Sequence, residues 1–209
     1  MRARPVLDVA ALPSRRRLLC WAALALGASA LPRAAAAHSN AGRVLPRAAA
    51  PALRLTLHDQ KQTSLQKLLL GRVTALQLVF TRCRATCPIQ GALFGAAAKQ
   101  LGAQLPEAQL LSISIDPASD DPAALDAWLK RHGQSPRWSA GRPEPREIET
   151  FMDFLKARAN GPDRHTGQVY YFDQKAQLAL RSVDFPPAHE VVRALAELSE
   201  LRSHASTPG

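Results

Sequence analysis

Two cysteines with three residues between them, Cys83 and Cys87, are the side chains of this sequence best equipped to do chemistry. They sit in Val79-Phe80-Thr81-Arg82-Cys83-Arg84-Ala85-Thr86-Cys87-Pro88. A thiolate is both the nucleophile of disulfide exchange and a soft metal ligand. An apolar run from Ala75 to Phe80 leads into the pair, and a helical pattern from Ile89 to Leu101 leads out. Pro88 falls at the expected first helical position, where its missing N–H costs nothing. The stretch therefore reads as strand, thiol-bearing loop, helix N-terminus. The helix dipole and the N–H groups of the first turn favour a thiolate there. Arg82 and Arg84 flank Cys83 and are expected to lower the thiol pKa further.

The chain holds three cysteines, and Cys20 lies in the N-terminal segment, so two belong to the body of the protein. In an oxidising compartment two cysteines usually form one disulfide. A bridge across three residues closes almost no loop, so it would restrain the unfolded chain little. Stability is thus a poor reason for this spacing. Two thiols with scattered histidines do not make a recognisable zinc pattern either.

The N-terminus reads as a targeting segment. Ser14-Arg15-Arg16-Arg17 precedes the apolar run Leu18 to Leu31, too short for a bilayer span and suited to a signal peptide. Ala35-Ala36-Ala37 supplies a cleavage site. Arg15-Arg16 suits a twin-arginine signal, an ordinary secretory signal being the alternative and an uncut membrane anchor the third option. The expected plan is a signal peptide at 1–37, a linker at 38–52, one domain at 53–203 and a tail at 204–209. Removing residues 1–37 reduces the net charge from +10 to +5. The remaining charge is scattered and only 5% of residues are aromatic, which leaves no nucleic-acid footprint. The 46% apolar content supports a full core.

The elements that must position the thiols follow in order. Leu53 to Leu57 alternates as a half-buried strand, and Ser64 caps a short helix ended by Gly71. Val73 to Phe80 is a central strand, and Pro88 to Gln104 a helix with Ile89, Leu93, Ala97 and Leu101 as its core stripe. Gln109 to Ile115 is a second buried strand. Asp121 and Pro122 open a helix that stops at Gly133. Arg137-Trp138-Ser139 is a short strand, and Glu144 to Ala159 a helix. Gln168 to Phe172 and Gln177 to Val183 form a hairpin, and Pro187 to Leu201 a last helix. This order implies an α/β layer fold, and thiols between a central strand and a helix imply a thioredoxin-like sheet flanked by helices, with a C-terminal hairpin and helix.

Three stretches in this order resemble the SCO/SenC family of thioredoxin-like copper proteins. The first is Phe80-Thr81 with Cys83, Cys87 and Pro88. The second is Leu111 to Pro117 with Asp121-Pro122 and Trp128-Leu129-Lys130. The third is Asp163-Arg164-His165-Thr166 ahead of Val169 to Asp173. The resemblance spans roughly residues 53–200. It implies one copper ion held by Cys83, Cys87 and His165, and a role in assembling the copper centre of cytochrome c oxidase. The implied partner is a copper-containing oxidase subunit or another periplasmic copper protein, and the implied location is the periplasm, with membrane attachment if the leader is retained. Cu(I) is soft and takes two thiolates with imidazole as third donor. Arg82, Arg84 and Thr86 depart from the family's usual residues, and the two arginines suit an anionic partner. A redox-active Cys83–Cys87 pair that keeps partner cysteines reduced is the alternative function. The other histidines read as structural or solvated: His58 in a turn, His132 at a helix end, His189 and His204 on the surface. Asp116 reads as a turn former and Trp128 and Trp138 as packing residues.

Overall fold

The computed structural model describes residues 40–101, 105–159 and 165–205, with backbone only for the last four. The leader, His38, Gln104, Asp163, Arg164 and the side chain of His204 lie outside the described residues. In chain order the elements are β1 (Gly42–Ala49), β2 (Arg54–Leu57), β3 (Gln62–Ser64), α1 (Leu65–Leu69), β4 (Val73–Val79), α2 (Cys87–Gln100), β5 (Ala108–Ser114), α3 (Pro122–His132), β6 (Trp138–Pro143), α4 (Ile148–Leu155), β7 (Tyr170–Phe172), β8 (Gln177–Arg181) and α5 (Ala188–Ala205). The strands form one sheet in the order β1-β8-β7-β4-β5-β6-β2-β3. β4, β5 and β6 run parallel, and antiparallel strands extend the sheet on both sides.

β4 is buried along its whole length, as a strand covered on both faces must be. Its side chains alternate between two cores. Leu76 and Leu78 pack under α1 and α4 with Leu65, Leu69, Phe151 and Leu155. Val73, Ala75 and Val79 pack under α2, α3 and α5 with Phe94, Leu125, Trp128 and Leu195. Gln77, on that second face, donates to Ser112 Oγ at 3.0 Å, which also accepts from Trp138 Nε1 at 3.0 Å. Trp138 in turn meets Trp128 edge-on, with ring centroids 5.4 Å apart.

The segment expected as linker is part of the sheet. β1 pairs antiparallel with β8 at its edge, with a register break between Arg43 and Ala48. An edge strand tolerates Pro46 and two arginines because one side of it needs no partner. Val44 packs against the core, and Arg47 bonds Asp173 at 2.7 Å, so the composition of a linker here hides a paired strand. The helix expected over Glu144 to Ala159 is also shorter. A 3-10 turn at Pro145–Glu147 precedes α4, and Lys156 ends it in the left-handed conformation at φ 56°.

α2 buries only part of the stripe expected of it: Ala97 and Leu101 are buried and Leu93 packs against the core, but Ile89 is not covered. Ile89 is 56% exposed, and the buried face is Cys87, Gln90, Gly91, Phe94, Gly95 and Ala97. Glycine sets this face. A Cβ on Gly95 would lie 2.0 Å from the backbone oxygen of His132, and one on Gly91 2.6 Å from the His132 ring. The two glycines thus let α2 approach the end of α3. α3 itself is capped as its sequence requires, with Asp121 Oδ1 accepting from the Ala124 N–H at 2.7 Å and Gly133 at φ 94°.

Gly→Ala in an open helix gains about 1 kcal/mol. At Gly95 the steric cost should win. Gly95→Ala is expected to destabilise the domain by about 1–3 kcal/mol, the range for overpacking, read as a lower midpoint in urea unfolding.

Candidate functional site

The thiol loop leaves β4 at its carboxyl end and returns as α2. Its first turn is closed by the Cys83 N–H donating to the Phe80 carbonyl at 3.1 Å. Thr86 occupies the N-cap of α2 in a helical conformation and offers no side-chain acceptor to the first turn. A sulfur takes that place: the Cys87 N–H points at Cys83 Sγ at 3.4 Å. Thr86 Oγ1 lies 3.8 Å from the same sulfur.

These contacts set the acidity of Cys83. Burial works against its thiolate. Hydrogen bonds from the backbone N–H groups of Cys87 and Ala85, then those of the Cys87 and Thr86 side chains, outweigh it and hold the thiol below its ordinary pKa. The expected lowering is present, but no arginine is among its causes. Arg82 reaches away to Asp116 Oδ2 at 3.1 Å and to Ser119 Oγ. Arg84 is exposed.

Cys87 is 1% exposed, and its sulfur lies 4.0 Å from His165 Nε2. His165 is 4% exposed and meets Phe80 edge-on, with ring centroids 6.3 Å apart. Its Nδ1 sits 2.8 Å from the Thr166 carbonyl, an acceptor only, so Nδ1 carries the proton. Nε2 is left with its lone pair on the side of the Cys87 sulfur. A metal-binding histidine is oriented in the same way, by the bond its other nitrogen makes. The backbone is held as well. His165 forms an isolated antiparallel bridge with Arg158, and the Thr166 N–H donates to the Ala157 carbonyl at 2.8 Å. The early stop of α4 at Lys156 frees residues 157 and 158 for this pairing.

The fold thus brings Cys87 and His165 into contact and leaves Cys83 beside them with its sulfur on the helix end. Among the described residues no three His, Cys, Asp or Glu side chains form a ready metal cage. The Cys83 sulfur, on the helix end, also takes a hydrogen bond from the Cys87 side chain, so both sulfurs stand at the same corner of the fold as His165. The donors fit a soft ion: two sulfurs and a neutral imidazole. Asp116 pairs with Arg82. His58 Nδ1 lies 3.4 Å from the Ala140 N–H. The His132 ring lies tilted against Trp128, centroids 4.9 Å apart, and burial, then Arg131, hold its pKa below the usual imidazole value. His189 is exposed. Sequence reasoning missed Asp120, which is fully buried and accepts from Thr81 and Ser114. Nothing in the pattern distinguishes it from its neighbour Asp121, which caps α3 in solvent.

A family model described as SCO1/SenC matches residues 47–200. The chain belongs to the SCO1/SenC family. No curated protein sequence matches it. Its fold is similar to that of a SCO1/SenC family lipoprotein from Bacillus anthracis, with TM-score 0.65, 21% identity, and coverage of 75% of this chain and 99% of that one. ScoI of Bradyrhizobium japonicum, solved with copper bound, matches with TM-score 0.60 and 20% identity over 72% of this chain and 99% of that one. BsSco, described as a Sco-family cytochrome c oxidase assembly protein with a disulfide switch, matches with TM-score 0.64 and 23% identity over 74% and 95%. These likenesses establish the thioredoxin-like fold of this SCO1/SenC chain. Among the described residues no helix is long and apolar enough to cross a membrane.

Backbone N–H groups rather than arginines stabilise the Cys83 thiolate, so Arg82→Gln with Arg84→Gln should leave its titration close to wild type. Cys83 should still ionise below the ordinary ~8.5 of a cysteine. Thiolate absorbance against pH in a Cys87→Ser background reads this; a clear upward shift in the arginine variant would return the effect to the guanidinium groups.

Proposed function

We propose that this chain carries one copper ion on Cys83, Cys87 and His165 and delivers it to a copper-containing oxidase subunit during assembly. The observation that carries this reading is the contact of Cys87 Sγ with His165 Nε2 at 4.0 Å, with Nδ1 already committed to the Thr166 carbonyl. That is a sulfur and an imidazole lone pair held side by side in a nearly dry site. The reading is supported by the copper in the B. japonicum structure and by the assembly role given for BsSco. The leader sequence favours export to the periplasm, where an oxidase subunit's copper site would be reached.

Copper enters as cargo, so release matters as much as binding. Cys83 is the partly exposed donor and Cys87 the buried one, which allows stepwise ligand exchange: Cys83 can pass the ion to an incoming thiolate while Cys87 and His165 still hold it.

A second reading has its own observation. Cys83 is partly exposed with a lowered pKa, and Cys87 is buried. That asymmetry suits thiol–disulfide exchange. The Cys83 thiolate would attack a partner disulfide, releasing one partner thiolate. Cys87, losing its proton, would then attack the Cys83 sulfur and release the second partner thiolate. The partner is reduced by two electrons and the chain leaves as the Cys83–Cys87 disulfide, which a further dithiol must reduce.

Reduced protein is expected to bind one Cu(I) per chain. Cys83→Ser and Cys87→Ser should each abolish tight binding, and His165→Ala should weaken it by more than about tenfold, since even outer-shell changes cost that much. Competition against a chromophoric Cu(I) chelator measures this. If His165→Ala leaves copper affinity unchanged, the copper reading fails. If it also leaves the rate of exchange with a disulfide substrate unchanged, the redox reading gains.

A further inference from the structure

We propose that Asp120 is the positioning residue for Cys83, holding the first half of the thiol loop so that the Cys83 sulfur meets the Cys87–His165 pair. The inference rests on the reading that Cys83 acts at this site, as metal donor or as nucleophile.

Asp120 is 0% exposed, and a buried carboxylate is tolerated only when its oxygens are satisfied. It accepts from the Thr81 N–H at 3.1 Å and 3.3 Å, from the Thr81 hydroxyl at 2.7 Å and from the Ser114 hydroxyl at 2.7 Å. Ser114 ends β5 directly beside Val79, the last residue of β4. One carboxylate thus joins the ends of two central strands to the first residues of the loop. Thr81 stands two residues before Cys83, inside the turn closed by the Cys83 N–H and the Phe80 carbonyl. A shift at Thr81 therefore passes to Cys83 through few soft dihedrals.

A second grip comes from the same loop, where Arg82 bonds Asp116 and Ser119. Arg82 is 70% exposed, so water and salt weaken that contact. The buried anchor decides the geometry. The other two site residues do not use it. Cys87 is fixed by α2, and His165 by Thr166 and the Arg158 bridge. Loosening Asp120 should therefore move Cys83 alone.

Asp120→Ala, Thr81→Val and Thr81→Ser in the reduced full chain test this. Two quantities are read: Cu(I) affinity by chelator competition, and the equilibrium for closing the Cys83–Cys87 disulfide with oxidised glutathione, which needs no copper. Misplacing one reacting group lowers its effective concentration toward the other. Asp120→Ala is expected to lower both constants by about tenfold or more. Thr81→Val should lower both in the same direction by less, and Thr81→Ser, which keeps the hydroxyl, should restore both. A role confined to stability would lower the melting temperature and leave both constants at wild type; that result in folded Asp120→Ala overturns the proposal. If Asp120→Ala does not fold, Thr81→Val decides, and wild-type constants there overturn it. Equal losses in Thr81→Ser and Thr81→Val overturn it as well. If the wild type binds no Cu(I), the copper reading fails, and the glutathione equilibrium alone judges Asp120.

Discussion

One hydrogen bond governs the site: the N–H that opens α2 points at the sulfur of Cys83. Thr86 at the N-cap leaves the first turn without a side-chain acceptor. A helix end in that state looks for an anion or an oxygen. Here the chain supplies its own sulfur four residues upstream. The spacing of the two cysteines follows from this, because the residue that donates the N–H is the one that carries the second thiol. The two sulfurs are thereby placed near one another, and the first has its thiol pKa lowered by the same backbone N–H. The remaining parts of the site serve the second sulfur, which the helix turns inward toward His165.

His165 depends on a break rather than on regular structure. The pattern from Glu144 to Ala159 is helical by composition, with Ile148, Phe151, Phe154 and Leu155 on one side; Ile148, Phe151 and Leu155 are buried and Phe154 packs half-buried against the core. What composition does not carry is the left-handed turn at Lys156. It is held partly from outside, by Arg158 bonding Asp153 and Glu149 at 2.5 Å each. Had α4 run on, Arg158 would have spent its backbone groups inside the helix, and His165 would have lost its bridge. A lone histidine in a loop is a weak sequence signal for the same reason. Its orientation comes from a carbonyl and a bridge that no side-chain pattern encodes.

The parts legible in the sequence are those where side-chain type and position are tied by local rules. β4 and β5 are apolar runs, α3 has Asp121, Pro122 and Gly133 at its ends, and the hairpin of β7 and β8 turns at Asp173. Cys83 falls in the expected loop and Cys87 opens the expected helix. The rest was hidden where the decisive contact is distant or made by the backbone. Edge strand β1 is read as linker because pairing on one side asks little of its side chains. The buried face of α2 is read only in part, with Ile89 put inside wrongly, because glycine contributes close approach instead of hydrophobicity. Asp120 and Asp121 are identical letters whose side chains part by the turn of the backbone, one into the protein and one into water.

The same reasoning explains why the arginines mislead. Adjacent in sequence, they invite a pairing with the thiolate. A guanidinium on a long side chain goes where a carboxylate is offered. Asp116 offers one to Arg82 across the loop, and so a charge adjacent to the sulfur in sequence is taken up by a carboxylate instead. Fixed backbone dipoles then do the tuning. They cannot swing away, they cost no side-chain entropy, and they bring no net charge toward an incoming cation. On the proposed copper reading that last property matters: a thiolate held by peptide N–H groups stays attractive to a positive ion, where one held by a guanidinium would be shielded from it.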